Sequence, residues 1–116
     1  MLYSIGDVHG RFDLLQQLHK KIMGHSVQFD EINTIVMLGD YVNRGPQSKE
    51  VIDFLITEPF AGFNHVYLRG NHEDMMAKSL YGITDTVIYE THIRPIRTAR
   101  NIFLENGGTE TLNSFS

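Results

Sequence analysis

The chain has 116 residues, 41% of them hydrophobic and 21% charged, with a net charge of −4 and no cysteine. That size suits one small domain, and the composition is that of a globular protein rather than a disordered one. Scattered Lys and Arg argue against a nucleic-acid or anionic-membrane surface, and the lack of cysteine excludes disulfides, thiolate metal sites and a cysteine nucleophile. The opening MLYSIGDVHGRF has neither a basic n-region nor an apolar h-region, and no apolar run approaches the roughly 18 residues of a membrane span. The expectation is a soluble cytoplasmic protein.

Leu2 to Ile5 is a short apolar run stopped by Gly6, which predicts a strand. Asp13 is expected to cap a helix running to about Met23, with Leu14, Leu15, Leu18 and Ile22 at helical spacing and Gly24 as its stop. Ile32 to Leu38, with β-branched Ile35 and Val36, reads as a buried parallel strand ending at Gly39. Ser48 is the expected N-cap of a second helix whose stripe is Val51, Ile52, Phe54, Leu55 and Ile56, closed by Pro59. Val66 to Leu68 is a third short strand, and a third helix should begin around Glu73. Later, Pro95 breaks any continuous helix, residues 98 to 105 suit a short one, Asn106-Gly107-Gly108 is a stop, and Thr109 to Phe115 suits another helical turn. The order βαβαβ, repeating at about 30 residues, predicts an α/β fold with right-handed crossovers in a parallel sheet.

Each predicted strand is followed by a glycine-led motif. These are Gly6-Asp7-Val8-His9-Gly10, Gly39-Asp40-Tyr41-Val42-Asn43-Arg44-Gly45 and Gly70-Asn71-His72-Glu73. Groups just past the C-terminal ends of parallel strands converge on one crevice, so Asp7, His9, Asp40, Asn71 and His72 are expected to meet there. Two carboxylates, an imidazole and an amide oxygen suit Mn²⁺, Fe²⁺ or Zn²⁺. Asp40 has two oxygens able to bridge two ions, and metals about 3.5–4 Å apart can clamp a phosphoryl oxygen and a nucleophilic hydroxide. Arg44 has the planar fork that grips phosphate, and His72 is placed to protonate a leaving alkoxide. Taken singly, an Asp after a strand is usually a turn former and an Arg in a loop is usually solvated. Three strand ends, each a glycine followed by a ligand-type residue, are together better explained by a site. Met75 and Met76 read as core packing, and neither a dinucleotide fingerprint nor a P-loop lysine occurs.

GDVHG, GDYVNRG and GNHE resemble the signature triplet of the calcineurin-like metallophosphoesterases, the phosphoprotein phosphatase family above all, and NGGTETLNSF resembles a segment of its bacterial members. The resemblance covers the whole chain but only the first half of the family's domain, a β-sandwich flanked by helices. It implies that Asp7, His9 and Asp40 hold one metal, Asp40 and Asn71 a second, that Arg44 binds phosphate, and that His72 is the general acid beside a metal-bridging hydroxide. The expected cofactors are therefore two divalent ions, Mn before Fe or Zn.

Two departures matter. The two further histidines that complete the family's second site are absent; His92 lacks their glycine context, and His19, His25 and His65 read as solvated surface residues. The second sheet is missing too, which favours self-association or domain swapping. At position 43 the family pattern GDxxDRG has an aspartate that pairs with the acid histidine, whereas this chain has Asn43, which can hydrogen-bond but supplies no charge. The leading expectation is a phosphoric-ester hydrolase acting on phosphoserine, phosphothreonine or a small phosphoester. The alternatives are a catalytically deficient metal-binding fragment and a dinucleoside polyphosphate hydrolase.

Overall fold

The structure, a computed structural model, describes residues 1–80, 87–88 and 97–116. The expectations for His92 and Pro95 lie outside these residues. In order, the elements are β1 (Leu2–Ile5), α1 (Phe12–Ser26), β2 (Thr34–Met37), α2 (Ser48–Ile56), β3 (Asn64–Tyr67), α3 (Asn71–Leu80), β4 (Val87–Ile88), β5 (Arg97–Thr98), α4 (Ala99–Phe103) and α5 (Thr109–Phe115). β1, β2 and β3 form a parallel sheet in that order, and β4 pairs antiparallel with β5. The predicted α/β fold with crossover helices is therefore the observed one.

Register decides which side chains are buried. Tyr3 pairs with Ile35 and Ile5 with Met37, so these four share one face of the sheet. On that face Ile35 and Met37 are fully buried, under Leu15 and Ile22 of α1, Val51 and Leu55 of α2, and Phe60 from the loop before β3. Burying a side chain of Phe60's size stabilises by about 1.5–3 kcal/mol. The other face carries Val36 paired with Val66, and the ladder runs on through Leu38 and Leu68. There Leu38, Val66 and Leu68 are 49%, 41% and 47% exposed, so the sheet is apolar on both faces and covered on one.

Several boundaries differ from the sequence expectation. α1 starts after Arg11 rather than Asp13, and Asp13 instead takes both ends of the Arg11 guanidinium at 3.0 and 2.9 Å. It passes through Gly24 to Ser26, because the buried Ile22 and Ser26 hold its last turn and an interior glycine costs only about 1 kcal/mol. Ser48 is the first residue of α2 and makes no cap bond, since its hydroxyl is engaged by Asn43 and Thr111. β3 begins earlier than expected, at Asn64, whose amide donates to the Asn33 carbonyl. α3 begins at Asn71, two residues before Glu73. Asn106-Gly107-Gly108, by contrast, breaks the helical run before α5 as expected, with Asn106 at φ −96 and Gly107 at φ 91 outside helical geometry. Met75 and Met76 are half-buried on α3, outside the main core.

Two histidines expected to be solvated are structural. His19 packs edge-on against Phe54 and Phe60 and donates to the Pro59 carbonyl at 2.7 Å. His65 accepts from the Phe60 amide at 3.1 Å and turns its other nitrogen to the Phe63 carbonyl. Both satisfy part-buried backbone groups of the loop that carries Phe60. His25 is exposed as expected, with the Tyr3 hydroxyl 2.7 Å from its Nδ1.

Candidate metal centre

The three motifs leave the C-terminal ends of β1, β2 and β3 side by side, and backbone hydrogen bonds lace them together. The amides of His9 and Gly10 donate to the carbonyls of Asp40 and Tyr41 at 2.9 and 2.8 Å, and the Gly45 amide returns one to the His9 carbonyl at 2.9 Å. The approach is so close that a Cβ at Gly45 would lie 2.2 Å from the His9 carbonyl oxygen. Asp7, His9 and Asp40 adopt φ of 50°, 45° and 56°, a region costly for residues with a side chain. Asn43 and Arg44 do the same at 74° and 73°. Five strained residues within two short loops mark a place where local stability is given up to aim side chains.

Asp7, His9 and Asp40 each offer a ligand atom within 4.8 Å of the others, and no other such group of three occurs among the described residues. The donor chemistry fits a divalent cation. His9 Nδ1 lies 2.9 Å from the Val42 carbonyl and must donate to it, which leaves the Nε2 lone pair free as a ligand. Asn71 sets one end of its amide 3.1 and 3.2 Å from the two Asp40 oxygens. That end is the nitrogen, donating to both oxygens. Asp40 also accepts from the His72 amide at 3.1 Å.

Glu73 is the participant that sequence reading missed. Its Oε1 accepts from the amides of Asp40 at 2.5 Å and Gly70 at 3.0 Å, and its Oε2 from those of Tyr41 at 2.8 Å and Val42 at 3.3 Å. A carboxylate taking four backbone N–H groups acts as a ring clamp on the Asp40 loop. The signal was present, since Glu73 closes the third motif in the first turn of α3, yet three of its four targets lie 31 to 33 residues away in the chain.

His72 is buried, its ring 4.6 Å from that of His9 in an edge-on arrangement. Burial first, and the neighbouring His9 second, hold its imidazole below the ordinary pKa, while Asp40 pulls the other way. Its Nδ1 is 3.0 Å from the side-chain nitrogen of Asn43, which is itself fully buried. Thr111 of α5, a second residue the sequence did not single out, accepts from the Asn43 backbone amide at 2.7 Å and donates to the Asn43 side-chain oxygen at 2.8 Å. Arg44 is exposed and lines a cavity of about 790 Å³ together with His9, Arg11, Asp13 and Gln47. Of the seven residues named from the motifs, Asp7, His9 and Asp40 thus meet, Asn71 and His72 touch Asp40, Asn43 touches His72, and Arg44 shares a cavity with His9.

A family model described as calcineurin-like phosphoesterase matches residues 2–116. Among curated proteins, the chain is 42% identical over 79 residues to the serine/threonine-protein phosphatase rdgC of Drosophila melanogaster, covering 66% of this chain and 11% of that protein. It is 41% identical over 73 residues to the symmetrical bis(5'-nucleosyl)-tetraphosphatase of Nitrosococcus oceani, covering 62% of this chain and 23% of that one. The serine/threonine-protein phosphatase with EF-hands 1 of Rattus norvegicus is 35% identical over 94 residues, covering 78% and 14%. The matched region is thus between 11% and 23% of the length of these relatives. No solved structure matches the chain significantly.

Proposed function

The chain belongs to the calcineurin-like phosphoesterase family, and from that premise we propose that it forms part of a metal-dependent phosphoric-ester hydrolase acting on phosphoserine, phosphothreonine or a small phosphoester. The observation that carries this reading is the meeting of Asp7, His9 and Asp40 within 4.8 Å, with buried His72 beside them. On this reading Asp7, His9 and Asp40 hold one ion, and Asp40 and Asn71 contribute to a second. Divalent metal, Mn²⁺ before Fe²⁺ or Zn²⁺, would supply Lewis acidity and a hydroxide nucleophile at neutral pH. Arg44 binds phosphate oxygens from the rim of the crevice. His72 presents a proton to the leaving oxygen, and Glu73 keeps the Asp40 loop in place. On this reading residues 1–116 form the N-terminal part of a single metallophosphoesterase domain, which the order of the three motifs along the chain supports. The cysteine-free composition supports a reducing, cytoplasmic setting. The exposed Leu38, Val66 and Leu68 support self-association through the open sheet face.

The test is Mn²⁺-dependent hydrolysis of p-nitrophenyl phosphate by the 116-residue chain, with Asp40→Ala alongside. Hydrolysis that requires Mn²⁺ and disappears in Asp40→Ala is the expected result; hydrolysis that survives the substitution overturns the assignment. A second reading, a metal-binding unit without turnover, is favoured by one observation: a single three-ligand cluster among the described residues. Mn²⁺ titration separates the two, since one tight site per chain supports the second reading and two support the first.

A further inference from the structure

We infer that Thr111 is a positioning residue that sets which nitrogen of His72 carries the proton. The argument deepens the proposed role of His72 and begins with donor counting around Asn43. A threonine hydroxyl has one hydrogen and two lone pairs. Thr111 Oγ1 has three partners: the Asn43 backbone amide at 2.7 Å, Asn43 Oδ1 at 2.8 Å and Ser48 Oγ at 3.2 Å. The backbone N–H can only donate, so it takes one lone pair. If the Thr111 hydrogen goes to Asn43 Oδ1, the Ser48 hydroxyl donates into the second lone pair and every group is satisfied.

The swapped amide would fail this accounting. Thr111 would then accept from the Asn43 amide nitrogen and spend its hydrogen on Ser48. The Ser48 hydroxyl hydrogen, fully buried, would be left with no acceptor among its described partners. An unsatisfied buried donor costs about 1–3 kcal/mol. The network therefore holds the Asn43 oxygen toward Thr111 and its N–H₂ toward His72, where Nδ1 lies 3.0 Å away.

A donor facing Nδ1 makes that nitrogen an acceptor. The proton of the neutral ring then resides on Nε2, the nitrogen turned away from Asn43. An aspartate at position 43 would do the opposite, since a carboxylate facing Nδ1 needs a hydrogen there. Thr111 thus reaches His72 through one intervening side chain, from a helix 68 residues further along the chain than Asn43. The consequence is selectivity: His72 offers a standing Nε2–H hydrogen bond, and leaving groups that need little protonation are served better than alkoxides.

The tautomer can be read directly by long-range ¹H–¹⁵N correlation of the imidazoles in the metal-free 116-residue chain at mildly alkaline pH. The His72 signals are assigned by their loss in His72→Gln. The expected result is an Nε2–H ring in the parent and in Thr111→Ser, and loss of that preference in Thr111→Val. An Nδ1–H ring in the parent overturns the inference, as does an unchanged ring in a folded Thr111→Val. Should Thr111→Val not fold, Asn43→Asp decides: the proton must move to Nδ1, and its staying on Nε2 overturns the inference. No metal, substrate or turnover enters this measurement, so its outcome is separate from that of the phosphatase assay.

Discussion

The carboxylate of Glu73 accepts from the backbone amide of Asp40 at 2.5 Å, so a side chain of the three-ligand cluster is aimed by a carboxylate that grips its loop's backbone. With the amides of Gly70, Tyr41 and Val42 on the same carboxylate, α3 and the Asp40 loop form one unit. The strained φ of Asp40 is tolerable because this clamp and the short contacts between loops over-determine it.

Glu73→Gln is therefore expected to lower Mn²⁺ affinity by about 10–100-fold, the range seen when groups that orient metal ligands are lost. A glutamine offers one acceptor oxygen, and its N–H₂ would face backbone donors. Isothermal titration calorimetry measures the affinity and thermal melting the accompanying loss of stability, about 1–3 kcal/mol. Unchanged Mn²⁺ affinity would remove Glu73 from any part in shaping the centre.

Asn43→Asp tests the same site from its other side. A carboxylate facing His72 raises the imidazole pKa, so more of the ring is imidazolium, which gives up its Nε2 proton while the carboxylate keeps the one on Nδ1. Hydrolysis of phenyl phosphate should rise by an order of magnitude or so, within the range that general acid catalysis supplies, while p-nitrophenyl phosphate, whose leaving group needs little help, should change less. Equal changes for the two esters would sink the idea that Asn43 limits proton donation.

Tyr41 supplies a pH prediction. Its hydroxyl donates to the carbonyls of Met37 at 3.0 Å and Leu68 at 2.6 Å, bridging the ends of β2 and β3. Burial, then the nearby charge of Glu73, push its pKa up from 10.0 to about 12. Because the folded value lies above the unfolded one, this group's contribution to stability is complete below pH 10 and is lost as pH rises towards 12. Denaturant midpoints measured across that interval should fall, and the fall should be shallower in Tyr41→Phe, which has no proton to lose.

The open face of the sheet makes the last prediction. Leu38, Val66 and Leu68 lie together on it and remain about half exposed. Sedimentation of the 116-residue chain should show concentration-dependent association, and Val66→Lys should weaken it without unfolding the chain. A chain that stays monomeric at high concentration would show that this face does not drive association.

Much of the fold was legible along the chain. Short β-branched and apolar runs, each ended by a glycine, could only be strands, and their spacing of about 30 residues required crossover helices and a parallel sheet. Those two facts sent Asp7, His9, Asp40, Asn71 and His72 to one edge, because every parallel strand ends on the same side. Local pattern was less reliable at boundaries, where Gly24 and Ser48 were expected to stop and cap helices. Their neighbours decided otherwise, since burial of Ile22 and Ser26 outweighed a glycine and Thr111 claimed the serine hydroxyl. Tertiary structure alone decided the partners of polar groups: Glu73 with the Asp40 loop, Thr111 with Asn43, His19 and His65 with the loop around Phe60. Apolar periodicity survives in one dimension because a helix or strand repeats along the chain. A hydrogen bond between residues 68 apart has no period, and only the closed fold brings its two ends together.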